Sequence, residues 1–260
     1  ARAVPVPLGN PPSTGFAAFP LAPAGFNWSI DEAALRAAIT PATKAIIINS
    51  PHNPTGRVFT AAELSIIAAV AREHDLLVIA DEIYNLLTYQ GEGAEAPVHL
   101  SIRALPGMAE RSVVIDGLSK THSASGWRIG FVTAPVTITR QLRRIAAALG
   151  LSAPTPLVVA SRLAYLPASD PHGRALADVL SANRQELERN GRVLANALRR
   201  QGFALAQPEG ATYILAGLPG RSGFDDLAQF LHDRCLIKVA PGTAFFDGDE
   251  GRLWVRFCFA

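Results

Sequence analysis

Lysine is scarce in this chain: of 24 cationic residues only Lys44, Lys120 and Lys238 are lysine. Cysteine is scarcer still, with Cys235 and Cys258 alone and too far apart for a metal-ligand pair. That excludes a disulfide framework and a cysteine-based zinc site, and points to a reduced, cytoplasmic setting. The net charge of +2 offers no electrostatic case for nucleic acid or an anionic membrane surface. No apolar run is long enough to span a bilayer, and no leader-like segment opens the sequence. The 260 residues, 49% apolar, suffice for a large core in one or two domains. The chain starts on Ala1 and finishes on the strand-like run Leu253 to Ala260, which reads as part of a longer protein.

Four apolar runs organise the first half. Ala45 to Asn49, Leu76 to Ala80, Ser112 to Asp116 and Ile129 to Thr133 have strand length and no polar alternation. Such strands belong to a sheet covered on both faces. Thr60-Ala-Ala-Glu63 forms a capping box for a helix reaching about His74. Ser29 or Asp31 caps an earlier helix bearing Leu35 and Ile39. Ala3 to Leu8 reads as a strand fragment, followed by a Pro- and Gly-rich loop to Asn27. The fourth strand follows the third too closely for a crossover helix, so it is expected to run antiparallel.

Past Pro135 the pattern changes. A helix is expected over Ile138 to Leu149, and Asp170 caps a long amphipathic helix that Gly202 stops near Gln201. Short strands at Phe203–Ala206, Thr212–Ala216, Ile237–Ala240 and Trp254–Phe259, with a helix near Phe224–Cys235, read as a small α+β unit. The expected division is residues 1–169 and 170–260, with the long helix as connector.

In open parallel α/β sheets, ligands bind beyond the carboxyl ends of the strands. Three of these strands end in unusual polar groups: Asn49-Ser-Pro-His-Asn53-Pro-Thr-Gly56, Asp81-Glu-Ile-Tyr84 and Asp116-Gly-Leu-Ser119-Lys120. Singly, each has an ordinary explanation as turn, cap or core. Together they bring an amide, a carboxylate, a phenol and an amine to one rim. An amine can lose its proton and attack a carbonyl, which arginine cannot do.

In this order, and with Ser119-Lys-Thr-His-Ser-Ala-Ser-Gly-Trp-Arg128-Ile-Gly130, Pro241-Gly-Thr-Ala-Phe245 and Val255-Arg256-Phe-Cys-Phe-Ala260, the motifs resemble the class I/II family of pyridoxal-phosphate-dependent aminotransferases. The likeness runs from about Ala3 to the last residue. It implies fold type I, an α/β architecture on a mostly parallel, mixed seven-stranded-type sheet with a smaller C-terminal α+β domain. It also implies pyridoxal 5'-phosphate as cofactor, an amino acid and a 2-oxo acid as partners, and a homodimer. Lys120 would form the Schiff base and move the substrate proton; Asp81 would face the pyridine nitrogen. Asn53 and Tyr84 would donate to the ring phenolate, and Ser119 and Arg128 would hold the phosphate. Arg256 would take the substrate carboxylate, and the Asn53–Pro54 bond would be cis.

Gly117 departs from the family's frequent serine and leans the substrate towards alanine-like, neutral or aromatic amino acids. The family's N-terminal part, with its phosphate loop and stacking aromatic, lies outside these residues. His52 and His122 have no role in the pattern and read as loop residues, and Glu82 reads as a solvent-facing or helix-side charge. Trp127 is expected to pack the turn, and Cys258 to lie in the core. Alternatives are a β-eliminating or C–S lyase of the same fold, the effector domain of a transcription regulator, and a non-catalytic relative.

Overall fold

A computed structural model describes residues 2–9, 27–90, 98–218, 220 and 223–260. The Pro- and Gly-rich stretch at 10–26 lies outside the described residues.

Residues Leu8–Gly9 (β1) pair antiparallel with Ser29–Ile30 (β2), so little of the expected first strand forms. Asp31 caps α1 (Glu32–Ala38) by accepting from Ala34 N at 3.0 Å, which buries Leu35. The main sheet is built from β3 (Ala45–Asn49), β4 (Leu77–Asp81), β5 (Ser112–Gly117) and β6 (Gly130–Thr133), adjacent in that order. The first two pairings are parallel and the last is antiparallel, in line with the expectation from the short connection.

Helix α2 (Ala61–Glu73) starts at the capping box: Thr60 Oγ1 accepts from Glu63 N, and Glu63 accepts from Thr60 N. Its Leu64, Ile67, Ala68 and Ala71 pack on Ile46, Ile48, Val78 and Val114, the inward positions of three strands. Alternate positions point the other way, because strand side chains change face with every residue. On that second face Ile47 is 73% exposed, and Leu77, Ile115 and Val132 are exposed too. Among the described residues the helical cover therefore lies on one face.

Helix α3 (Leu118–Thr121) leaves β5 directly, and α4 (Val136–Ala148) and α5 (Thr155–Ser161) follow β6. The long helix α6 (Pro171–Arg200) is capped by Asp170 and ends at Gln201, with Gly202 at φ 84°. A second, antiparallel sheet has the order β7 (Ala204–Leu205), β8 (Tyr213–Gly217), β10 (Trp254–Cys258) and β9 (Ala240–Pro241). Leu187, Ala195 and Leu198 of α6, with Leu227 and Leu231 of α7 (Leu227–Cys235), share one core with Ile214, Val255 and Phe257. Tyr84, Leu87 and Tyr89 also enter that core, so the segment after β4 is packed against the second sheet.

Two expectations fail on burial. Cys258 is exposed, because Val255, Phe257 and Phe259 occupy the core side of β10 and leave Cys258 on the face of Arg256. Glu82 is buried at 5% exposure; it accepts from Ser101 Oγ at 2.9 Å and pairs with His99 Nε2 at 3.0 Å. Alternation at the end of β4 turns it inward while Asp81 faces the rim.

Candidate active site

Parallel pairing sets the rim. Asn49 of β3 is in register with Asp81 of β4, and Asp81 with Ile115 of β5. Asn49 donates from Nδ2 to the Asp81 carbonyl at 2.9 Å and accepts from Asn53 N at 2.7 Å. The turn bearing Asn53 is thereby tied to the strand end that bears Asp81. It contains two cis peptide bonds, Ser50–Pro51 and Asn53–Pro54.

Gly56 closes this turn at φ +72°, and a Cβ there would lie 2.8 Å from the Tyr213 carbonyl oxygen. Only glycine permits so close an approach in that conformation. The Gly56 carbonyl accepts from Glu209 N and Gly210 N, which anchors the turn beside β8.

The second sheet then reaches the first. Arg256 donates from a terminal guanidinium nitrogen to Asn53 Oδ1 at 2.8 Å. Arginine only donates, so this contact fixes the amide orientation and aims Nδ2 elsewhere as a donor. The Arg256 guanidinium carbon lies 4.2 Å from the Tyr213 ring centroid and 5.2 Å from that of Phe245. Tyr213 meets Tyr84 edge to face, with ring centroids 6.1 Å apart.

Charge states follow from these surroundings. Burial pushes the Asp81 carboxyl up; Asp116 and Glu82 add to this, and a 3.2 Å hydrogen bond from Ile83 N opposes it. Burial, then the Tyr213 phenol beside it, push Tyr84 up, which leaves it a protonated donor at neutral pH. Asp116 accepts from Asn85 Nδ2 at 2.8 Å and from Gly117 N at 2.6 Å.

Lys120 and Ser119 sit on α3 at the end of β5, Lys120 exposed and Ser119 half-buried. Arg128 is exposed in the left-handed conformation, φ 56°, and donates to the Ser125 carbonyl at 3.1 Å. Trp127 beside it is 39% exposed, so it does less packing than expected. Gly117 has a steric reason: a Cβ would stand 2.7 Å from the Ile129 carbonyl oxygen, where β5 turns into α3 against β6. A serine there would force the two strands apart.

Asn53, Tyr84 and Arg256 are thus in one contact network with Asp81 attached through Asn49, while Lys120, Ser119 and Arg128 line the adjacent strand end. Sequence reasoning missed Tyr213 and left Phe245 without a role. Tyr213 follows Gly210-Ala-Thr on an unremarkable strand pattern, and only pairing with β10 brings it to Arg256.

His52 behaves as a structural residue, while His122 Nδ1 lies 2.8 Å from Thr121 Oγ1 at the end of α3. His52 Nδ1 bonds Thr55 Oγ1 at 2.8 Å and its ring stacks on Phe59. Burial, then Arg57, lower its pKa from 6.5 to about 4. A histidine depressed in the folded state binds its proton first in the unfolded chain. Its contribution to stability is complete above pH 6.5 and is lost as pH falls towards 4. Urea midpoints measured from pH 7 to 4 should drop more steeply for the native protein than for His52→Gln. Parallel curves would remove His52 as a source of acid sensitivity.

Among the described residues no group of His, Cys, Asp and Glu could hold a metal ion, and no helix is long and apolar enough to cross a membrane.

Comparison with known proteins identifies the family. A family model described as aminotransferase class I and II matches residues 15–260. The probable N-succinyldiaminopimelate aminotransferase of Mycobacterium tuberculosis is 36% identical over 252 residues, 92% of this chain and 60% of that protein. An aspartate aminotransferase of Geobacillus stearothermophilus is 34% identical, over 87% of this chain and 56% of its own length. The solved structure of the M. tuberculosis N-succinyldiaminopimelate aminotransferase superposes with a TM-score of 0.78 at 34% identity, covering 92% of this chain and 60% of that one. The chain spans about 60% of the length of these relatives.

Proposed function

The chain belongs to the class I and II aminotransferases, and we propose from that premise that it moves an amino group between an L-α-amino acid and a 2-oxo acid. The observation that carries this reading is the chain of contacts from Asp81 through Asn49 and Asn53 to Arg256. It joins a carboxylate suited to a ring nitrogen with a guanidinium suited to a carboxylate.

The family works with pyridoxal 5'-phosphate, and the donor set fits that group. An exposed amine, a carboxylate, an amide with its Nδ2 turned away from Arg256, a protonated phenol and a guanidinium are the chemical complements of an aldehyde, a pyridine nitrogen, a phenolate and a phosphate. When bound, the cofactor supplies an electron sink for the charge left at the substrate Cα.

The chain's own residues have distinct tasks in this reading. Lys120 binds the cofactor and then carries the proton away from and back to Cα; a lysine serves because it can exist as a free amine. Asp81 holds a proton on the ring nitrogen. The upward push on its carboxyl costs little once a cation faces it. Asn53 Nδ2 and the Tyr84 hydroxyl donate to the phenolate oxygen. Arg128 and Ser119 bind the phosphate, with the Ser119 hydroxyl and the Arg128 fork sharing its charge. Arg256 orients the substrate carboxylate from the second sheet. The rings of Tyr213 and Phe245 beside it give apolar surface suited to a neutral or aromatic side chain. We further propose that residues 1–169 and 170–260 act as two units that close on substrate, and that the working enzyme is a homodimer.

The test is a donor screen on the full-length protein loaded with cofactor. Neutral and aromatic amino acids should yield their 2-oxo acids with one amino group passed to an acceptor. Release of ammonia with loss of the side chain would replace transamination by elimination.

A further inference from the structure

Tyr213 has so far been given only an apolar surface, yet it touches two of the residues with assigned polar roles. Its ring face carries the Arg256 guanidinium at 4.2 Å, and its ring stands T-shaped to that of Tyr84 with centroids 6.1 Å apart. Its backbone is fixed from behind: the carbonyl abuts Gly56 in the turn bearing Asn53, and the residue pairs with Cys258 on β10. Arg256 pairs with Leu215, so Tyr213 and Arg256 are diagonal neighbours on one face of two hydrogen-bonded strands. Leu215 lies between them on that same face, buried with Trp28 and Trp254.

A guanidinium is a long, flexible group that loses rotamer freedom whenever it holds a ligand. Here its plane is set before any ligand arrives. One N–H is fixed by Asn53 Oδ1, and the cationic carbon rests over one ring with a second, Phe245, at 5.2 Å. Those contacts leave the other N–H groups of Arg256 for a carboxylate.

We infer that Tyr213 is a positioning residue, whose ring face holds the Arg256 guanidinium ready for the substrate carboxylate. This rests on the reading of Arg256 given above. The ring is the working part. Its hydroxyl is turned to Tyr84 and is not needed to hold the arginine.

The distinction makes the inference testable with two variants of the full-length, cofactor-loaded protein. The probes are maleate and 3-phenylpropionate, carboxylates that cannot react, with affinity read by calorimetry and not by turnover. Tyr213→Leu removes the ring and should weaken both probes about three- to thirtyfold, the range of a partly desolvated cation–π contact. Tyr213→Phe keeps the ring and should stay within about twofold of the native value. With a substrate, Tyr213→Leu should raise KM by a similar factor and change kcat little.

Equal losses in Tyr213→Leu and Tyr213→Phe would assign the effect to the hydroxyl and overturn the inference. So would native affinity in Tyr213→Leu. Arg256→Ala is the control. If it binds both probes as the native protein does, the carboxylate reading of Arg256 fails, and the role of Tyr213 falls with it. If Arg256→Ala loses affinity while Tyr213→Leu does not, the inference fails alone.

Discussion

Replacing Lys120 with alanine is expected to lower transamination by about ten-thousandfold while leaving the fold intact, since both covalent attachment and proton transfer are lost. The two effects can be separated because Lys120 contributes little to packing. It is exposed on a four-residue helix, and among the described residues it makes no hydrogen bond or ion pair. Exposed substitutions of this kind change stability by about 0.5 kcal/mol or less. The thermal midpoint of the cofactor-free protein should therefore stay where it is. Lys120→Arg sharpens the point: it keeps the positive charge but cannot supply a free amine, so it should be as inactive as alanine. Activity in Lys120→Arg near the native level would mean that Lys120 serves only as a positive charge.

Arg256→Ala should cost about a hundred- to ten-thousandfold in kcat/KM, the loss of a forked pair of charge-assisted hydrogen bonds to a carboxylate. Here some structural cost is expected as well. Arg256 is half-buried, bonds Asn53 and rests on Tyr213. Removing it frees the Asn53 amide to turn, which would weaken the donor aimed at the phenolate. Arg256→Lys should recover only part of the loss, because an ammonium keeps the charge but not the planar fork. The decisive readout is the comparison of amino donors with the matching amines that lack a carboxylate. Native protein should prefer the acid strongly, and Arg256→Ala should nearly erase the preference. An unchanged preference would move the carboxylate site away from β10.

How much of this was readable without coordinates depends on the range of the forces concerned. The strands β3, β4 and β5 carry the apolar runs Ala45–Ile48, Leu77–Ala80 and Val113–Ile115, and the Thr60–Glu63 box is wholly local, so both were legible. The antiparallel β6 was expected from the short connection, and the twelve residues between Gly117 and Gly130 hold only the four-residue α3 and a single 3-10 turn. Boundaries were less so. Leu76 looks like strand, but its N–H bonds the Ala71 carbonyl as α2 closes, and β4 starts one residue later.

Long-range features were not legible. Glu82 reads as a surface charge until His99 and Ser101, seventeen and nineteen residues on, supply its partners. Cys258 reads as core until β10 is known to place Val255 and Phe257 inward. The candidate site residues stood out because their chemistry is unusual at strand ends. Tyr213 was not, because a tyrosine on a strand is ordinary and its partner lies 43 positions away on another strand. Gly117 was noticed only as a missing hydroxyl; its packing against Ile129 supplies the reason.

The claim on which the rest depends is that Lys120 is the residue that holds the cofactor. The scarcity of lysine makes a direct measurement clean. The full-length protein is loaded with pyridoxal 5'-phosphate, reduced with borohydride, digested, and its peptides are weighed. The account predicts a stable pyridoxyl phosphate adduct on the peptide containing Lys120 and none on those containing Lys44 or Lys238. An adduct on either of the other two, or on no lysine of residues 1–260, would contradict it.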